Sequence, residues 1–235
     1  MKLNTNSNTY ILAYASLLVI AVAFVLAYFS QTLKPIQDKN VALDKKKQII
    51  AALNIRDVND NQVEEYYNKL VEADEIINEK NEVLSAGKPG GENDGFKLNG
   101  GDFKAGKLAL FVCNVDGQKK YVMPVYGMGL WGGISGYIAI NADKETIYGV
   151  YFNHEGETAG LGAEIKDNQK WQQQFCGKHL FADGNQDAVA LSVCKKVDNP
   201  ATQVDGVSGA TLTCDGVTRM IHEGLGKYLV FLKDK

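Results

Sequence analysis

Twenty consecutive residues without a charge, Tyr10 to Phe29, constrain this chain more than any other stretch. The run is rich in Leu, Ala, Val and Ile. As a helix rising about 1.5 Å per residue it covers about 30 Å, the thickness of a bilayer's hydrocarbon core. Tyr10, Tyr28 and Phe29 stand near its ends, where aromatic rings favour the membrane interface. A cleaved signal peptide is the competing reading. Against it, Lys2 is the only charged side chain ahead of the run, the run is long, and nothing of the Ala-x-Ala type closes it. The sequence therefore predicts a polar tail over 1–9 and one uncleaved transmembrane helix over 10–33.

The 235 residues leave enough chain beyond that span for one domain with a sizeable core. A net charge of −3 gives no basic surplus for nucleic acid. Cys113, Cys176, Cys194 and Cys214 form no CxxC pair, and His154, His179 and His222 are scattered. A zinc or iron–sulfur site made by this chain alone is not expected. Core thiols are the simpler reading; an oxidising compartment would permit one disulfide, whose partners the sequence does not choose.

Pro35 is expected to end the apolar helix, with further helix to about Leu53. Another helix is expected from Asp60 or Asn61, with Val63, Tyr66, Tyr67, Leu70 and Val71 on one stripe. Glu64, Glu65, Glu72, Asp74 and Glu75 would form its solvated face. Ser85 to Asp102, rich in Gly, Asn and Lys, reads as a flexible loop. Residues 34–106 are thus expected to be a helical connector. From Lys107 the apolar period changes to two, and Asp116-Gly117 marks a hairpin between Leu108–Val115 and Gln118–Val125. Gly136–Asn141 and Thr146–Phe152 read as two more strands around Asp143-Lys144. Short strands followed by helices predict an α+β domain over 107–235, an antiparallel sheet with flanking helices.

The most informative short stretch is Asp205-Gly206-Val207-Ser208-Gly209-Ala210-Thr211-Leu212-Thr213. Its glycines permit a sharp turn, and successive N–H groups in such a turn can form an anion nest. Val217, Met220, Ile221, Leu225, Tyr228 and Leu229 then recur at helical spacing. Thr211 and Thr213 therefore sit at a helix N-terminus, where the dipole and free N–H groups favour phosphate. A Ser/Thr helix cap is the plainer alternative.

The nonapeptide resembles the flavinylation motif (Asp-Gly-x-x-Ser/Thr-Gly-Ala-Thr/Ser) of the covalent-FMN domains in Na⁺-translocating NADH:quinone reductase and the related Rnf complex. The resemblance implies FMN joined by a phosphoester to Thr211, with Asp205, Ser208, Gly209, Ala210, Leu212 and Thr213 around it. Gly127-Met128-Gly129-Leu130-Trp131-Gly132 spells GxGxxG, but a strand follows it, so a dinucleotide site is rejected. It is similar to the family's Gly-x-Gly-Leu-Trp, which implies Leu130 and Trp131 as a flavin wall; alone, Trp131 would be read as core. His154-Glu155-Gly156-Glu157-Thr158-Ala159-Gly160-Leu161-Gly162 resembles His-x-x-Glu-Thr-Pro-Gly-Leu-Gly, with Ala159 in place of proline. That implies Glu157, Thr158, Gly160 and Leu161 near the ring; otherwise Glu157 is a surface carboxylate and His154 a structural histidine. Trp171, Phe175, Gly177 and Lys178 also match the family pattern, and Lys178 is either a phosphate counter-charge or a solvated lysine.

The Pro124, Gly127, Gly129 context resembles the Na⁺-translocating reductase more than Rnf. The resemblance implies an electron-relay subunit, not catalytic alone, that works with the complex's other subunits. A separate flavin transferase is implied too, since no base stands beside Thr211 to activate it. Two rivals remain: a membrane-tethered module binding a non-redox ligand, and a hydrolase using Ser208 or Thr211. The hydrolase would need His222, about eleven residues or roughly 16 Å along the helix from Thr211. On orientation the residues and the resemblance disagree. Lys34, Lys39, Lys45, Lys46 and Lys47 follow the span, which by the positive-inside rule keeps the domain cytoplasmic. The resemblance puts it on the periplasmic side of a bacterial inner membrane, and that is the expectation taken forward.

Overall fold

The computed structural model describes residues 7–234; most of the polar tail, residues 1–6, lies outside the described residues. The chain divides into two compact units at Asp44/Lys45. The first helix, α1 (Asn8–Ala52), supplies the first unit and the opening of the second. Its apolar part has a mean hydropathy of 2.5 and is entirely unburied, so it is long and apolar enough to cross a membrane. Pro35 lies inside this helix rather than ending it. One lost hydrogen bond and a ring clash cost about 3 kcal/mol, and the Leu, Gln, Ala and Lys residues on either side carry the helix through.

In the second unit the last turns of α1 bury Ile49, Ile50, Ala51 and Ala52. There follow α2 (Val63–Leu70), β1 (Val71–Ile77), β2 (Val83–Ser85), α3 (Gly100–Lys104), β3 (Leu108–Val115) and β4 (Gln118–Met128). Then come β5 (Gly133–Asn141), β6 (Ile147–His154), α4 (Glu164–Asp167), α5 (Gln169–Gln173), β7 (Ser192–Cys194), β8 (Gln203–Asp205), α6 (Thr211–Gly226) and α7 (Leu229–Lys233). Six strands form one antiparallel sheet in the order β2-β1-β3-β4-β5-β6, and β7 and β8 form a separate parallel pair. The fold is α+β, as the strand periods predict. Asp116 and Gly117 both have positive φ, 52° and 79°, which suits the tight hairpin joining β3 to β4.

β3 is buried almost throughout, so the middle of the sheet is covered on both faces. α6 packs along β4: Val217, Met220, Ile221 and Leu225 share one core cluster with Leu110, Met123, Val125 and Phe152. The contact is close because Gly216 has no side chain; a Cβ there would stand 2.5 Å from the Met128 carbonyl oxygen.

Three expectations upstream of the hairpin are corrected. The helix ends at Leu70, its cap Gln62 makes no side-chain hydrogen bond, and Val71, Glu72, Asp74 and Glu75 belong to β1. Pairing of β1 with β3 overrides the acidic, helix-favouring composition. Asp74 is fully buried rather than solvated. The 85–102 stretch is fixed: Asp74 accepts N–H groups of Lys88, Asp94 and Phe96 at 3.1–3.3 Å, and Asn99 with Asp102 forms a capping box on α3. Because β1 lies beside β3, the compact unit starts at Lys45 and residue 107 falls inside it.

Candidate functional site

α6 begins at Thr211, and its N-cap residue, Ala210, has no side-chain oxygen for the first-turn N–H groups. Gly209 turns the chain into the helix at φ +75°, a conformation that strains other residues. Successive helical residues are about 100° apart, so the two threonines point differently. Thr211 is exposed, whereas Thr213 is 1% exposed and its hydroxyl donates to Glu157 Oε2 at 2.6 Å.

Glu157 ties three segments together. Its Oε1 accepts the Trp131 N–H at 2.9 Å, and the Leu130 N–H also bonds to this carboxylate. Its own N–H donates to His154 Nδ1 at 3.2 Å, so His154 is a structural histidine here. Gly129 and Gly162 leave room for it: a Cβ on either would come within 2.3 Å and 2.5 Å of the carboxylate oxygens. Burial pushes the Glu157 pKa up, but the Thr213 hydroxyl, the Trp131 and Leu130 N–H groups and nearby His154 outweigh that. The carboxyl is held below its ordinary value and stays ionised. Glu157 is thus not a surface carboxylate, and its oxygens accept from the chain's own donors.

Around this buried bond lies an exposed apolar platform. Trp131 is 69% exposed, and Met128, Leu130, Leu161 and Leu212 are also open. The core alternative for Trp131 does not hold. Leu161 Cδ2 would be 2.8 Å from a Cβ on Gly209, which places it against the motif loop. Gly160, at φ +73°, and the Thr158 carbonyl, which accepts the Leu161 and Ala163 N–H groups, shape the turn carrying it.

The motif loop runs between two clefts. One, of about 310 Å³, is lined by Lys195, Asp205, Ser208, Gly209, Thr211, Cys214 and Asp215 among others. The other, of about 440 Å³, is lined by Gly160, Glu164, Lys170, Trp171 and Gln174 and shares Gly206 to Ser208. The loop is pinned from behind. Trp171 Nε1 donates to the Asp205 carbonyl at 2.7 Å, the Asp205 N–H donates to Gln174 Oε1 at 3.3 Å, and the Val207 N–H donates to Cys214 Sγ at 3.3 Å.

Lys178 is held apart from this arrangement. Its ammonium donates to the Pro200 carbonyl, and it lines neither cleft. Lys195 lines the first cleft and Lys170 the second, and Lys195 was missed because Lys195-Lys196 after a three-residue strand carries no motif of its own. Gln174 was missed likewise. His222 bonds to the Leu191 carbonyl at 2.9 Å and lines neither cleft, so the hydrolase alternative loses the histidine it needed. All four cysteines are free thiols, Cys113 and Cys214 buried and Cys176 exposed, so the core-thiol expectation holds only for the buried two.

Residues 129–226 match the family model described as an FMN-binding domain. Over 99% of its length the chain is 31% identical to the C subunit of the Na(+)-translocating NADH-quinone reductase of Haemophilus ducreyi, covering 97% of that protein. The chain belongs to this C-subunit family, NqrC. A crystal structure of the family's Parabacteroides distasonis member superposes with a TM-score of 0.78 at 36% identity, covering 86% of this chain and 98% of that one. NqrC of Shewanella oneidensis superposes with a TM-score of 0.65 at 27% identity, covering 83% and 100%. In this NqrC-family member, the FMN-binding match takes in the Gly-Leu-Trp turn, the Glu157 turn and α6 but leaves out β1 to β4.

Proposed function

We propose that this chain is the membrane-anchored, FMN-bearing electron carrier of a Na⁺-translocating NADH:quinone reductase, with FMN joined by its phosphate to the Thr211 hydroxyl. The observation that carries this reading is the exposed hydroxyl of Thr211 at the start of a helix whose first-turn N–H groups lack a side-chain cap, within a complete flavinylation motif. Full-length similarity to NqrC proteins favours this complex over an Rnf-type one.

The residues present fit such a group. Free first-turn donors and the positive end of the helix dipole favour a phosphate ester at Thr211, and Lys195 across the cleft offsets its charge. Leu130, Trp131, Leu161 and Leu212 offer the apolar surface that a flat ring needs. Asp205, Ser208, Gly209 and Ala210 shape the loop, Thr213 and Glu157 lock it to the Trp131 turn, and Thr158 and Gly160 position Leu161. FMN supplies reversible electron uptake when bound, while the protein holds and tunes it. Lys178 serves the fold, not the phosphate.

A separate flavin transferase installs the group, because no histidine lines the cleft to activate Thr211. The other subunits of the complex deliver and remove the electrons. α1 anchors the chain in the inner membrane, and the domain lies on the periplasmic side. The test is a denaturing gel of protein made with an active transferase. Flavin fluorescence stays with the wild-type band and is absent from Thr211→Ala. A dark wild-type band overturns the proposal in favour of a non-redox binding module.

A further inference from the structure

We infer that the fixed negative charge of Glu157 lowers the reduction potential of the flavin carried on Thr211. The inference rests on the function proposed above and assigns Glu157 a role other than ligand contact. Its oxygens are taken up by the chain's own donors, Thr213, Trp131 and Leu130. It is therefore a positioning residue whose charge acts through space.

Two observations fix that charge beside the platform. The side chain is 7% exposed, so its carboxylate is held in place by the turn rather than free in water. No Lys or Arg forms an ion pair with it among the described residues. The groups its carboxylate holds are the backbone of Leu130 and Trp131 and the side chain two residues from the tether. A ring resting on Leu130, Trp131, Leu161 and Leu212 would lie near a carboxylate that no Lys or Arg pairs with among the described residues. Adding an electron to that ring is then less favourable than it would be over a neutral residue.

Glu157→Gln separates charge from shape. The amide oxygen still accepts from Trp131 and Leu130, and the amide nitrogen still meets the Thr213 oxygen. Glu157→Asp keeps the charge and shortens the arm. The experiment is a redox titration, followed by flavin absorbance, of the full-length flavinylated protein and both variants, with the denaturing gel recording covalent flavin in each. The expected result is a midpoint potential raised in Glu157→Gln and nearer wild type in Glu157→Asp. A Glu157→Gln potential equal to wild type overturns the inference, as does an equal rise in both variants, which marks a purely structural role. In either case a fluorescent wild-type band leaves the proposed function standing, whereas a dark wild-type band overturns both.

Discussion

Asp74 and Glu157 each gather backbone N–H groups from a glycine-rich loop, in opposite settings. Asp74 is fully buried and holds Lys88, Asp94 and Phe96 of the segment that folds back over β1. Lys45 closes that segment from α1 by donating to the Phe96 and Leu98 carbonyls. Glu157 gathers Leu130, Trp131 and Thr213, but leaves the side chains of Leu130 and Trp131 turned outward. The same chemistry closes one loop into the core and opens the other toward a ligand. The difference lies in what the loop's side chains do once its backbone is satisfied.

The largest effect is expected at the closed loop. Asp74→Ala leaves the buried Phe96 N–H without its acceptor, at about 1–3 kcal/mol, and the part-buried Lys88 and Asp94 N–H groups likewise, at about 1 kcal/mol each, so chemical denaturation of the solubilised chain should show a loss of roughly 3–5 kcal/mol. Flavin per folded molecule should stay unchanged. Glu157→Ala should cost less, about 1–3 kcal/mol, because water reaches the exposed Trp131 turn, and flavin incorporation should fall. Equal losses for the two variants would break the comparison. Gly216→Ala sharpens it: the new Cβ, 2.5 Å from the Met128 carbonyl, must push the β4–β5 turn off α6. The expected cost is about 1–3 kcal/mol, with a change in Trp131 fluorescence that Asp74→Ala does not produce.

Two smaller effects concern charge. Lys195→Ala should lower the yield of covalent flavin roughly two- to fivefold, the worth of one exposed counter-charge, and Lys178→Ala should leave it alone. The reverse ranking on the gel would reassign the phosphate's cation. The last prediction follows from the lowered pKa of Glu157. Its ionised form is favoured in the folded state, so its contribution is complete above the unfolded value of about 4.3. The contribution is lost as pH falls further, through the folded value. Acid titration of stability below that point should be shallower in Glu157→Gln than in wild type.

Much of this was legible in the sequence because it is local. The uncharged run, the Asp116-Gly117 hairpin and the start of α6 each follow from residues a few positions apart. β1 was not legible, because Glu72, Asp74 and Glu75 take strand geometry only when β3 stands beside them. Pro35 misled for a related reason: a local breaker was outweighed by the long helix around it.

The chain's own order of residues determined that there would be a membrane-length helix, an antiparallel domain and a threonine at a helix start inside a flavinylation motif. Only the tertiary structure decided which carboxylates are buried, which threonine hydroxyl is exposed and which lysines line the clefts. Thr213 meets Glu157 across 56 positions, and Lys178 is drawn to Pro200 instead of Thr211. Burial and through-space charge depend on segments that folding brings together, and spacing along the chain carries no record of that distance.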